Sequence, residues 1–124
     1  MSTTDPWSTR FAFHDDKAEI TAEKTPDGTV GILHLSGQLA TENSPAVTAH
    51  LQQALDANPL PATVILDARH LRYASSTGIG VIARLLVELQ NRSVSLQLAN
   101  VGENVREVFD LLGFSAFFQF VDWP

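Results

Sequence analysis

Cysteine is absent from the 124 residues, and methionine occurs once. Without a thiol the chain forms no disulfide, no thiolate metal site and no thiol nucleophile. Basic residues are also scarce: eight Lys and Arg stand against fourteen Asp and Glu, for a net charge of −6. Bulk attraction to nucleic acid or to an anionic membrane surface is thereby removed. No apolar run approaches the ~20 residues that a membrane-spanning helix needs. The opening residues, MSTTDPWSTRF, carry neither a basic stretch nor an apolar one, so no secretory signal is expected. Hydrophobic residues nonetheless make up 44% and charged residues 18%, which separates the chain from disordered polymers. At this length one domain over residues 1–124 is expected. Size scaling leaves roughly 6,500 Å² exposed, about a third of the unfolded surface, so a core can form without staples. The expectation is an acidic cytoplasmic domain preceded by a loose polar leader over residues 1–10, with Trp7 against the body.

The elements follow from periodicity and punctuation. Residues 11–24 alternate imperfectly and read as an edge strand. TPDGT at 25–29 is a turn, with Asp27-Gly28 able to reach positive φ. Residues 29–37 alternate as a strand ending at Gly37. Ser44-Pro45 marks a helix start, with serine as the cap and proline where a missing N–H costs nothing. Val47, Leu51, Ala54 and Leu55 then share one helical face to about Asp56, and NPLP at 58–61 stops it. Thr63–Leu66 is apolar on both faces, as in a buried central strand, and ends at Asp67. Residues 68–75 read as a loop. A second helix opens at Ser76-Thr77-Gly78 and carries Ile79, Ile82, Leu85, Leu86 and Leu89 to about Asn91. Val94, Leu96 and Leu98 alternate as a strand. A third helix over about 103–112 turns Val105, Val108, Phe109, Leu111 and Leu112 inward and ends at Gly113. FFQFV at 117–121 is a last strand; Phe114, Phe117 and Phe118 suit either a dimer or partner face or closure of the core beneath the last helix, and closure is favoured. Strands alternating with helices imply an α/β fold: a mixed sheet, parallel inside and antiparallel at its first edge, with helices packed on it.

Residues 64–80, VILDARHLRYASSTGIG, hold the chemistry-bearing pattern. A buried strand delivers three hydroxyls, Ser75, Ser76 and Thr77, to a helix start at the carboxyl end of a sheet. Ligands and partners gather there, and unpaired N–H groups favour negative charge. One reading is capping alone, with Gly78 letting the backbone pass close to a neighbour. The other is a hydroxyl that accepts a phosphoryl group, which would add close to two negative charges. Other constellations are missing. Gly78-Ile79-Gly80 lacks the Gly-Lys-Ser/Thr of a phosphate-binding loop, and no G-x-S-x-G elbow occurs. His14, His34, His50 and His70 have no metal-like spacing and read as structural, so neither a metal nor a cofactor is expected. Asp15-Asp16 reads as a solvated turn. Asp67 reads as an acceptor for amides near its strand end. Arg69 and Arg72 read as exposed charges for solubility or partner contact.

The run from Val64 to Phe114 resembles the STAS family, named for sulfate transporters and anti-sigma-factor antagonists, and within it the free-standing bacterial antagonists. The resemblance rests on Leu66-Asp67, then Ser75-Ser76-Thr77-Gly78-Ile79-Gly80, then Asn100-Val101, Val105-Arg106-Glu107-Val108-Phe109 and Leu112-Gly113-Phe114. Gly37-Gln38-Leu39 matches the family's earlier Gly-x-Leu. The likeness covers about residues 29–121. It implies a protein without catalysis of its own, whose partner is a kinase that is also the anti-sigma factor. Phosphorylation by that kinase ends binding, and a phosphatase resets the protein. By position the acceptor is Thr77, with Ser76 and Ser75 beside it. The partner-binding surface is Arg72, Tyr73, Ser75, Ser76, Thr77 and Gly78. At two places the chain departs from the family, which usually has an acid at Ser75 and often another at Ala40. The alternative is therefore a STAS interaction module of another complex, transporter-associated or a scaffold, without phospho-regulation. A third reading, an enzyme or anion binder at the helix start, lacks a base–nucleophile pair.

Overall fold

The computed structural model describes residues 12–56 and 60–123. The expected leader over 1–10, the packing of Trp7 and part of the NPLP stop lie outside the described residues. Ten elements follow in order: β1 (Ala12–His14), β2 (Ala18–Lys24), β3 (Val30–Leu39), α1 (Ser44–Leu55), β4 (Thr63–Ala74), α2 (Ser76–Asn91), β5 (Ser95–Ala99), α3 (Glu103–Leu111), a 3₁₀ turn (Ser115–Phe117) and β6 (Gln119–Val121). The strands form one six-stranded sheet in sequence order. β1, β2 and β3 pair antiparallel, whereas β3, β4, β5 and β6 pair parallel. This is the mixed α/β architecture expected from the order of elements.

Alternation along the strands sorts two faces. Leu33, Leu35, Val64, Leu66, Leu96 and Leu98 join Val47 and Leu51 of α1, Ile79, Ile82, Leu85 and Leu89 of α2, and Val105 and Phe109 of α3 in the main core. On the opposite face Ile32, Ile65 and Ala99 form a small cluster against Val30, Val121 and Trp123.

Several boundaries differ from the sequence reading, each for a physical reason. The single strand expected over 11–24 is folded into β1 and β2. The Asp15 carboxylate accepts from the Lys17 and Ala18 amides at 2.8 and 2.7 Å and closes a turn there. β3 does not stop at Gly37. That residue, at φ +91°, sits where a Cβ would come within 2.2 Å of the Lys17 carbonyl, and the strand continues to Leu39. The loop expected over 68–75 is instead the second half of β4, paired with the continuing β3 as far as Ala74. Two register shifts in that pairing break simple alternation. Ala68, Leu71 and Ala74 are the buried residues there, a spacing of three that hides a strand. The cap of α1 is Asn43, not Ser44, which is the first helical residue.

At the carboxyl end, Leu111 is 82% and Leu112 39% exposed, against the inward positions expected for both. Two residues beyond buried Phe109 lie about 200° around a helix, and the helix ends at Leu111 before a further turn can form. Gly113 takes φ +75° just past the helix, as expected. The phenylalanines divide. Phe118 is buried and meets Phe109 edge-on at 5.2 Å, Phe114 is half-buried, and Phe117 is 69% exposed.

Candidate functional site

The parallel strands β3 and β4 end side by side, and each leads into a helix. The two connections, residues 38–44 and Ser75–Gly78, are joined by backbone contacts. The Ser75 amide donates to the Leu39 carbonyl at 2.9 Å. A Cβ at Gly78 would lie 2.3 Å from that same carbonyl oxygen and 2.9 Å from the Leu39 side chain. Only glycine permits this approach, so Gly78 sets the distance between the start of α2 and the end of β3. Gly78 itself is buried beneath this contact. Gly80 has no such neighbour.

The three adjacent hydroxyls have separate fates. Ser75 is the cap of α2: its Oγ accepts from the Gly78 amide at 3.1 Å, and its carbonyl accepts from Ile79. Ser76 and Thr77 are exposed on the first turn. Ser76 has no side-chain partner among the described residues. Thr77 Oγ1 accepts a hydrogen bond from Thr41 Oγ1 at 3.3 Å. The first turn of α2 contains no acid, so its partial positive charge is not offset within the helix. Arg72 and Tyr73 are exposed at the end of β4, with Tyr73 50% accessible. Arg72 and Tyr73 thus lie near the end of β4 and Ser76 and Thr77 on the turn that follows, while Arg72 lines a hollow with Glu103 and Asn104 at the start of α3. Ser75 serves the helix cap, and Gly78 serves the packing.

The resemblance brought the β3–α1 turn to this site only through Ala40, and the roles of Thr41, Asn43 and Ser44 were not legible. Asn43 is buried. Its Oδ1 accepts from the Ala40 amide at 2.8 Å, and its Nδ2 donates to the Gln38 carbonyl at 3.0 Å. The Ser44 hydroxyl donates to the Ala40 carbonyl at 2.6 Å. These bonds fix the backbone that presents Thr41. Glu42 lies at the rim, 3.8 Å from the Lys17 ammonium.

Asp67 sits inside β4 rather than at a strand end, on the sheet face opposite the helices. Burial alone would raise its carboxyl. Hydrogen bonds from the Arg69 amide at 3.0 Å, from Asn100 at 3.1 Å and from His34 at 2.9 Å outweigh that and hold it below the usual carboxylate range. His34 bridges Asp67 and Glu23, with Nε2 2.6 Å from the Glu23 carboxylate. Burial pulls His34 down, but its two carboxylate partners prevail and raise it above the usual value. Asn100, at φ +58°, also accepts from the Trp123 amide and donates to the Trp123 carbonyl. Arg69 donates to that carbonyl as well, so it ties down the segment after β6 instead of facing a partner alone. The amide-holding role expected of Asp67 is present, and His34 takes a structural part as expected.

No helix among the described residues is long and apolar enough to cross a membrane. The chain is 31% identical over 100 residues to the candidate anti-sigma factor antagonist BtrV of Bordetella bronchiseptica, covering 81% of this chain and 83% of that protein. Its fold matches an anti-sigma factor antagonist from Mycobacterium paratuberculosis with a TM-score of 0.73 at 17% identity, covering 87% of this chain and 88% of the other. It also matches the antagonist SpoIIAA, at 20% identity and 82% coverage of this chain. The TM-score is 0.66 for the unphosphorylated form, of which 86% is covered, and 0.60 for the phosphorylated form, of which 89% is covered. The STAS domain model matches residues 20–122, from the start of the main core to the strap after β6. With sheet order, helix placement and sequence in agreement, the chain belongs to the STAS domain family.

Proposed function

We propose that this protein is a non-catalytic regulatory switch of the anti-sigma-factor-antagonist type, acting in the cytoplasm. Its unmodified form binds a kinase-like anti-sigma factor through Arg72, Tyr73 and the exposed Ser76 and Thr77, on the turn that Ser75 caps and Gly78 packs into place. Phosphorylation at Thr77, or at neighbouring Ser76, ends that binding, and a phosphatase restores it. The observation that carries this reading is the division of hydroxyls at the start of α2. Ser75 is committed to the cap, while Thr77 and Ser76 stand exposed on a turn without acids. That SpoIIAA is known with and without phosphate on this fold supports a switch without refolding.

The energetics suit such a device. A phosphate at Thr77 adds close to two negative charges to a contact surface, with desolvation and like-charge repulsion against an acidic partner patch. A cost of ~3 kcal/mol weakens binding more than a hundredfold. The test is incubation with the partner kinase and ATP, followed by mass-spectrometric mapping. Phosphate on Thr77 or Ser76 together with a complex that it dissolves is the expected result. Neither complex nor phosphate would remove the reading.

Ser75 and Ala40, standing where antagonists usually have acids, favour a second reading: an interaction module of another complex that is not phospho-regulated. One pull-down separates the two. The switch requires Thr77→Glu to abolish binding and Thr77→Ala to keep it, whereas the unregulated module tolerates both.

A further inference from the structure

Thr41 and Thr77 are 36 residues apart in the chain, yet their hydroxyl oxygens lie 3.3 Å apart, with Thr41 donating. Both side chains are exposed, so the pairing is not enforced by burial of the threonines themselves. It is enforced by the backbones beneath them. Buried Asn43 and Ser44 clamp the Gln38 and Ala40 backbone on the Thr41 side. The Ser75 amide and the Gly78–Leu39 contact lock the Thr77 side to the same turn. Two helix starts are thus fastened together so that a second hydroxyl faces the exposed acceptor.

We infer that Thr41 is a positioning residue for Thr77: its hydroxyl holds the Thr77 side chain in one orientation and donates to the phosphate once this is attached. The inference rests on the switch reading above. In the transfer, the Thr77 oxygen bonds to the terminal phosphorus of a nucleoside triphosphate held by the partner kinase. The bond from that phosphorus to its bridging oxygen breaks, and the nucleoside diphosphate leaves with the electron pair. The Thr77 hydroxyl proton passes to a carboxylate of the kinase. After transfer the Thr41 O–H faces an anion, and a hydrogen bond to a charged acceptor is stronger than one between neutral hydroxyls. Thr41 thereby supplies by hydrogen bonding some of the local order that Ala40 and Ser75 do not supply by charge.

The experiment needs no partner. Phosphothreonine is incorporated site-specifically at position 77 of the full chain, and its second ionisation is followed by ³¹P NMR across pH. A donor favours the dianion, so Thr41→Val and Thr41→Ala each raise the phosphate's apparent pKa by about half a unit. Thr41→Ser restores the parent curve, and Ser76→Ala leaves it unmoved. Urea midpoints of all variants coincide, which separates positioning from a stability effect. Titration curves of Thr41→Val and Thr41→Ala that superimpose on the parent overturn the inference while leaving the switch intact. Failure of the kinase to modify the unsubstituted protein removes the switch itself, whatever the titrations show.

Discussion

Two helices of this protein begin in the same neighbourhood and use the same kinds of residue in opposite ways. At the start of α1, Asn43 and Ser44 are buried, and their polar atoms bind the backbone of the preceding turn. At the start of α2, Ser75 alone is so engaged, while Ser76 and Thr77 project outward. The difference shows where to look for function in a hydroxyl-rich turn. A buried hydroxyl must be satisfied within the fold, and its partners are therefore structural. A hydroxyl that the fold leaves exposed beside a tightly braced backbone can be altered, or phosphorylated, without unfolding anything.

Substitutions can break that contrast, starting with the contact that joins the two turns. Gly78→Val forces side-chain atoms into the Leu39 carbonyl, where even a Cβ would lie at 2.3 Å. A loss of at least about 3 kcal/mol is expected in urea unfolding. A loss under 1 kcal/mol would show that the two turns are not rigidly coupled. Asn43→Ala removes two hydrogen bonds from the buried side of the comparison, and about 2 kcal/mol should go with them. Ser75→Ala removes a cap, for about 1 kcal/mol. Ser76→Ala and Thr77→Ala should shift stability by no more than about 0.5 kcal/mol. If either cost as much as Asn43→Ala, the distinction between braced and exposed hydroxyls would fail.

A smaller, pH-dependent effect sharpens the comparison from elsewhere in the sheet. His34 lies between Glu23 and Asp67 and is raised above the reference of 6.5. Its charged form is favoured by folding, so its contribution is complete below pH 6.5 and fades as pH rises through the raised folded value. Urea midpoints of the parent and His34→Gln should therefore differ most near pH 6 and converge at alkaline pH. Asp67 is lowered, so its contribution holds above the reference of 3.8 and is lost as pH falls through the depressed folded value. An unchanged gap between parent and variant from pH 6 to pH 9 would show that the His34 bridge is not an ion pair in solution. Neither helix start contains a histidine, so the differences produced by Asn43→Ala and Ser75→Ala should not follow this profile.

Much of this arrangement was legible before any coordinates. The alternation of Leu96 and Leu98, the continuous run Thr63–Leu66 and the four-residue spacing of Val47 and Leu51 each reflect burial by one local period, which a linear pattern records. The run of hydroxyls ahead of Gly78 announced a cap, but not which of them supplies it. The second half of β4 was not legible, because register shifts opposite β3 replace alternation with the spacing Ala68, Leu71, Ala74. Leu111 and Leu112 misled because periodicity names a face but not the residue at which a helix ends. Thr41 and Asn43 escaped notice because the resemblance brought only Ala40 of GQLATENSP near the acceptor, and no local period shows which side chain of that turn faces a residue 36 positions away. His34 was legible only as a strand residue, since Glu23 and Asp67 reach it from neighbouring strands.

By itself, then, the chain's order of residues determined the class of fold, the inward faces of α1 and α2, and the presence of three adjacent hydroxyls at a helix start. Those properties depend on local periodicity and on backbone preferences that each residue has in isolation. Only the tertiary structure decided that Ser75 is consumed by the cap, that Ser76 and Thr77 remain outside, and that Thr41 stands opposite Thr77. Those outcomes depend on how closely two separate turns approach, and that distance is set by the packing of Gly78 on Leu39.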